Sequence, residues 1–155
     1  KRPVLTTLFS MFAFSRSERR QSWALNEARA FIAGVVPGIG VEDPFLVPGS
    51  IAGALGLCQF ISSSYVEFAV DGNGDNRIDL TEDADAIMSI ANYLKRNGWG
   101  KSRHSHERAV WAYNHSRAYV RAVLAYADAQ KKLRNPPAVK PSAKQKSKHF
   151  VKKPR

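Results

Sequence analysis

The chain has 155 residues, 44% of them apolar, enough to bury a sizeable core in one domain. Lys plus Arg number 24 against 13 Asp plus Glu, a net charge of +11, but residues 131–155 hold ten of the basic groups and no acidic one, which leaves 14 against 13 in residues 1–130. So neutral a body argues against a dedicated nucleic-acid binder, and the single cysteine, Cys58, excludes an intrachain disulfide framework.

Taken in chain order, Val4 to Phe14 is an apolar stretch broken by Thr6, Thr7 and Ser10. It is too short for the ~20 residues of a membrane span, and it lacks the small-residue cleavage site of a signal peptide. The chain begins abruptly, as a mature product or a fragment does. Ser15-Arg16-Ser17-Glu18 has the form of a capping box, and Trp23, Ala24, Glu27, Ala28, Phe31 and Ile32 recur at helical spacing, which predicts a helix over 16–33. Gly34 to Ser50 carries three prolines and several glycines and reads as a long ordered loop. The following segment, Gly49 to Phe60, is small, apolar and glycine-rich, a composition that lets backbone approach something closely.

A short helix is predicted over 62–70 and a firmer one over 83–97, with a stripe of Ile87, Ile90, Ala91 and Leu94, acidic residues at its start and Gly98 as its C-cap. Further helices are predicted near 107–113 and over 116–133, the latter with Tyr119, Val120, Val123, Leu124 and Ala127 on one face. Asn135-Pro136-Pro137 stops it. No segment alternates as a strand does, so the class is mainly α, with a folded body over 1–135 and a disordered basic tail over 136–155. His104 and His106 fall in a basic, Ser-rich turn with no ligand spacing around them.

Between the second and third of these helices, Asp71-Gly72-Asn73-Gly74-Asp75-Asn76-Arg77-Ile78-Asp79-Leu80-Thr81-Glu82 places oxygen donors at positions 1, 3, 5, 9 and 12, with an apolar residue at 8. That is EF-hand spacing, and its cation is Ca²⁺, which takes six to eight hard oxygen ligands. Asn76 stands where glycine is preferred, but Asn tolerates the left-handed region. Arg77 offers its backbone carbonyl. A solvated acidic turn without an ion is the plainer alternative. A lone loop of this kind acts as a structural clamp rather than a sensor.

The run Gly49-Ser50-Ile51-Ala52-Gly53-Ala54-Leu55-Gly56-Leu57-Cys58-Gln59-Phe60-Ile61-Ser62-Ser63-Ser64-Tyr65, followed at short distance by that loop, resembles the soluble and membrane-bound lytic murein transglycosylases of the B type. Ala91-Asn92-Tyr93-Leu94 with Gly98-Trp99, and Ala112-Tyr113-Asn114-His115-Ser116, are similar to later pieces of that family, so the resemblance runs from about Leu5 to Ala127. It implies a lysozyme-like α-domain that cleaves the β-1,4 bond between N-acetylmuramic acid (MurNAc) and N-acetylglucosamine (GlcNAc) in peptidoglycan. No water is added: one Glu protonates the glycosidic oxygen and then takes the proton of the muramyl 6-hydroxyl, closing a 1,6-anhydro ring.

The resemblance places Ser50 and Gln59 beside the scissile bond and Tyr93, Tyr113 and Asn114 along the sugar subsites. The plainer readings are a turn for Ser50, a helix cap for Gln59 and Asn114, and core packing for Tyr93. In the family the calcium loop is elongated, which sets Asp85 beside Glu82 as the closing ligand after Asp71, Asn73, Asp75 and Arg77.

The family's catalytic Glu lies upstream of the part matching Leu5 to Leu8, so this chain is expected to be truncated relative to the family and to lack it. Glu18 is flanked by Arg19 and Arg20, which hold a carboxylate ionised, and Glu42 is the substitute to consider. Peptidoglycan glycan strands are the expected partner, with no specific nucleic acid, a tail drawn to anionic surfaces, a monomeric state and a periplasmic or envelope location. A non-catalytic peptidoglycan-binding module and a calcium-stabilised scaffold are the alternatives.

Overall fold

A computed structural model describes residues 2–134, and the tail expected over 136–155 lies outside the described residues. The architecture is mainly α, as composition and periodicity suggest. Its only sheet among the described residues is a two-residue antiparallel pair, β1 (Arg2–Pro3) with β2 (Pro48–Gly49). A ladder that short has no alternation to read.

Helix α1 (Val4–Phe14) buries Val4, Leu5 and Leu8 against α2 (Glu18–Ala30), so the apolar stretch at the start is a core helix. Full burial of each such side chain contributes about 2 kcal/mol. The N-cap of α2 is Ser17, whose Oγ accepts from Arg20 N at 3.4 Å, in place of the Ser15–Glu18 capping box. Ser15 instead accepts the Ser17 N–H through its own Oγ.

The helical run does not stop at Ala33. A π-turn over Phe31–Val35 carries it into α3 (Val36–Ile39), which ends at Gly40 in the left-handed region. Widening the turn accommodates Pro37, which has no N–H to give and would clash in a regular α-helix. Gly34 and Gly38, expected as breakers, are contact points: a Cβ would stand 2.3 Å from Val66 Cγ2 at the first and 2.4 Å from the Tyr65 hydroxyl at the second.

Helix α4 (Ser62–Phe68) packs here through Tyr65 and Phe68. Its N-terminus is held by Glu27, a buried carboxylate of α2 that accepts from Ser63 N at 2.9 Å and from Ser63 Oγ at 2.8 Å.

Helix α5 (Asp83–Arg96) has the predicted ends, but its inner face is Ala86, Ser89, Ile90 and Tyr93, and Ile87 is exposed. The reason is polar: Ser89 Oγ accepts from Val70 N at 3.0 Å, and Asn92 donates to Phe68 O at 2.8 Å. Helix α6 (Arg103–Tyr113) starts four residues before the predicted point, capped by Ser102, so His104 and His106 lie on a helix. Helix α7 (Arg117–Arg134) follows after a short link. The main core gathers α1 to α4 with Leu55, Phe60 and Leu80, while Val110, Val120 and Leu124 form a second cluster where α6 meets α7.

Replacing Glu27 by Ala leaves the Ser63 amide without its acceptor and is expected to lower stability by about 1–3 kcal/mol. Urea unfolding checks this, and an unchanged midpoint would contradict the role given to Glu27.

Candidate functional site

The segment Leu55–Phe60 closes on itself. Leu55 N donates to Phe60 O at 2.7 Å and Phe60 N to Leu55 O at 3.1 Å, so the four residues between them are lifted as a tight loop. Gly56 sits at φ +62°, and a Cβ there would meet Leu80 O at 2.3 Å, which only glycine avoids. At the far end Gln59 takes φ +52°, a strained value for a residue with a side chain. Its side chain is exposed, and its Nε2 donates to Gly56 O at 2.8 Å.

Three elements hold this loop. Leu57 N donates to Leu80 O at 2.7 Å, the Tyr113 hydroxyl of α6 donates to Cys58 O, and the Phe60 ring lies 5.7 Å from that of Tyr93 and 6.1 Å from that of Tyr113. Tyr93 and Tyr113 meet edge to face at 5.2 Å, Phe68 packs on Tyr93 at 4.5 Å, and the Tyr93 hydroxyl donates to Ala112 O. Burial pushes both phenols upward, so they stay neutral donors. It also pushes the Cys58 thiol up, which leaves it a small apolar packing group.

The structure therefore sets Gln59 between two residues, Cys58 and Phe60, that Tyr93 and Tyr113 hold, with Asn114 next in the chain after Tyr113. Asn114 is the C-cap of α6, exposed, and its side-chain amide makes no hydrogen bond among the described residues. Ser50 is half-buried, and its Oγ accepts from Ala52 N and Ala54 N, both at 3.1 Å, which shapes the turn leading to Leu55 and leaves its hydroxyl proton available. Phe60 and Phe68, given no role by the sequence, supply the ring platform. Their part depends on partners more than 20 residues away, for which spacing gives no signal.

The Asp71 loop is wound by its own side chains. Asp71 Oδ1 accepts from Gly74 N at 2.6 Å and its Oδ2 from Asn76 N at 2.8 Å, Asn73 Oδ1 accepts from Asp75 N at 3.0 Å, and Asp75 Oδ1 from Arg77 N at 2.8 Å. Asn76 takes φ +65°, the left-handed value the sequence required of it. The amide of Gly74 above all holds the Asp71 carboxyl below the usual aspartate range. Glu82 receives Asn73 Nδ2 at 3.1 Å, and Asp79 is occupied by Thr81.

Asp85 is buried, and its two oxygens accept from Gly72 N at 2.8 Å and Asp79 N at 2.7 Å, tying the two ends of the loop. Ile78 N donates to Gly38 O, and Arg77 Nη2 to Ile39 O, so the loop leans on α3. The donors are all hard oxygens of the kind Ca²⁺ takes. Among the described residues, however, no three acidic or imidazole groups converge on a common point, so the carboxylates are engaged by amides.

Of the other carboxylates considered, Glu27 is buried but twice hydrogen-bonded, Glu18 is exposed at the start of α2, and Glu42 is exposed after α3. No hydrogen bond or ring contact links Glu42 or Ser50 to the Tyr93–Tyr113 pair among the described residues.

Residues 1–109 match the family described as Transglycosylase SLT domain. The membrane-bound lytic murein transglycosylase B of Escherichia coli K12 is 52% identical over 60 residues, which cover 39% of this chain and 17% of that protein. Among solved structures, soluble lytic transglycosylase SltB1 of Pseudomonas aeruginosa superposes with a TM-score of 0.76 at 22% identity, covering 86% of this chain and 64% of that one. Escherichia coli Slt35 in complex with calcium gives 0.75 at 24%, covering 86% and 61%. The chain thus spans less than two thirds of each of these relatives, and the likeness to the solved structures establishes the fold.

Gly56→Ala is expected to open the Leu55–Phe60 loop, since the new methyl meets the Leu80 carbonyl at a left-handed backbone position, and to cost upwards of about 1 kcal/mol. Thermal unfolding measures it, and a wild-type melting temperature would contradict the packing described.

Proposed function

We propose, from the premise that this chain belongs to the Transglycosylase SLT domain family as a lytic murein transglycosylase of the B type, that it grips a peptidoglycan glycan strand across the MurNAc-β-1,4-GlcNAc bond. The observation that carries this reading is Gln59, held exposed in a strained backbone position on a loop pinned from both sides by Tyr113 and Leu80. Strain of this kind is kept where a side chain has to be presented. The Gln59 and Asn114 amides offer the donor and acceptor pairs that N-acetyl groups and hydroxyls require, Ser50 offers a hydroxyl proton, and the Tyr93 and Tyr113 rings provide apolar walls for sugar faces.

Cleavage of the family's kind needs one carboxylic acid that is protonated at neutral pH, gives its proton to the glycosidic oxygen, and recovers one from the muramyl 6-hydroxyl as that oxygen attacks C1. A poorly solvated carboxyl free of amide donors meets that need. Glu27 is dry but bonded to Ser63, and Glu42 is open to solvent. The described residues therefore favour strand binding over turnover, which makes the non-catalytic peptidoglycan-binding module the reading for this chain taken alone.

We further propose that Asp71, Asn73, Asp75 and the Arg77 carbonyl, closed by Glu82 or Asp85, hold a structural Ca²⁺. The calcium complex of Slt35 and the all-oxygen donor set support this. The ion would supply a fixed positive centre, and the chain's own part is to fasten Leu80, and through it Leu57. An envelope location is supported by the membrane-bound relative, and among the described residues no helix is long and apolar enough to cross a membrane. The basic residues of 136–155 would add attraction to anionic wall or membrane surfaces at low salt.

Incubated with purified sacculi and Ca²⁺, the chain is expected to sediment with the glycan and to release no 1,6-anhydromuramyl ends by mass spectrometry, and Gln59→Ala is expected to lose most of that retention. Release of such ends, abolished by Glu42→Gln, would make the chain an active enzyme. Wild-type retention by Gln59→Ala would overturn the site.

Adding Ca²⁺ to chelated protein is expected to raise the melting temperature, since an ion bound only to the folded state at 100 Kd adds about 2.7 kcal/mol. The gain should be full above the ordinary aspartate range and fade as pH falls through the lowered Asp71 value. Identical melting curves with EDTA and with Ca²⁺ would contradict the metal.

A further inference from the structure

A cavity of about 380 Å³ lies between α6 and α7, on residues given no part in glycan binding. Arg108 and Trp111 line it from α6, and Arg117, Val120, Arg121 and Leu124 from α7. Arg117 and Arg121 stand one helical turn apart and so share a face. Arg117 is also the first residue of α7, where the helix dipole favours an anion.

The charge is uneven along the cavity. Arg103, at the start of α6, is paired with Glu107 at 3.6 Å and with Asp128 at 2.7 Å, whereas no carboxylate lies within 4.0 Å of Arg108, Arg117 or Arg121 among the described residues. The Arg103–Asp128 pair ties the beginning of α6 to the latter part of α7, so the two helices run antiparallel. Arg117 and Arg121 therefore lie toward the 113–117 link, and the ion pairs of Arg103 at the other end. Trp111, in the last turn of α6, and Val120 and Leu124 of α7 give the cavity its apolar surface.

We infer that this cleft is a binding site for a short peptide with a free C-terminal carboxylate. The Arg117 and Arg121 guanidiniums, one turn apart on α7, present forked donors that match a carboxylate two bonds at a time. The indole and the two aliphatic residues take an apolar side chain beside it. The volume suits a ligand of two or three residues. Glu107, whose charge is on the same cavity wall, disfavours polyphosphates and nucleic acid, because a run of negative charge along the cleft would meet it. The cleft shares none of its lining residues with the Gln59 loop.

The test is a titration of the full chain with acetyl-Ala-Ala-Leu bearing a free carboxylate, followed through the Trp111 indole N–H resonance, which Trp111→Phe assigns. A saturable shift is expected, at least about tenfold weaker for the C-terminal amide of the same peptide and for the Arg117→Gln/Arg121→Gln variant. Both arginines are exposed, so that variant should melt with the wild type. Gln59→Ala should titrate as wild type, which separates this site from the glycan loop. Equal response to the amide, no saturable shift, or a response to inorganic phosphate with none to the peptide would overturn the proposal.

Discussion

The site depends on one backbone contact, the Leu57 amide donating to the Leu80 carbonyl at 2.7 Å, with Gly56 packed against the same peptide. Leu80 belongs to the acidic loop, and Leu57 to the loop that presents Gln59. The geometry of one is transmitted to the other through a single buried residue. From the opposite side Tyr113 fixes the Cys58 carbonyl, so the Gln59 peptide is bracketed between the acidic loop and α6. A side chain can be kept in the left-handed region only where its surroundings over-determine it, and here they do. The acidic loop is thus part of the scaffold whether or not an ion is bound, and an ion would stiffen what the amides already wind.

The distribution of carboxylates follows from the same economy of backbone bonding. Glu27 and Asp85, the two buried carboxylates, are both taken up by amides, Glu27 at the start of α4 and Asp85 across the ends of the acidic loop. A buried carboxylate bonded in this way has its oxygens engaged by the chain itself, which suits architecture. The surroundings of Gln59 consequently hold amides and phenols and, among the described residues, no carboxylate in hydrogen-bond contact, an observation on which the proposal of strand binding rests.

How much of this the sequence discloses depends on the range of each interaction. The acidic loop is legible because its donors are spaced by two and bond to amides two to five residues on, and Asn76 takes the conformation its chemistry permits. The ends of α5 are legible for the same local reason. Helix α1 is not legible because its apolar run, too short for a span, has no side-chain cap to mark its start, and the first turn of α6 because Arg103 to His106 carry no apolar stripe. Gly34, Pro37 and Gly38 read as breakers, but their cost is offset by a π-turn and by close contact with Val66 and Tyr65, which belong to a later helix. The grip of Tyr113 on Cys58 spans 55 residues, and the cavity between α6 and α7 forms only once the helices pack.

If Tyr113 and Leu80 hold the Gln59 loop ready for glycan, Tyr113→Phe, which removes one hydroxyl and keeps the ring, weakens the binding proposed for it. Calorimetric titration with a chitin tetrasaccharide should show affinity falling by about tenfold, the effect of one lost hydrogen bond near 1.4 kcal/mol, with the helical circular dichroism unchanged. Wild-type affinity in that variant would show that the Tyr113 hydroxyl does not position the loop for glycan.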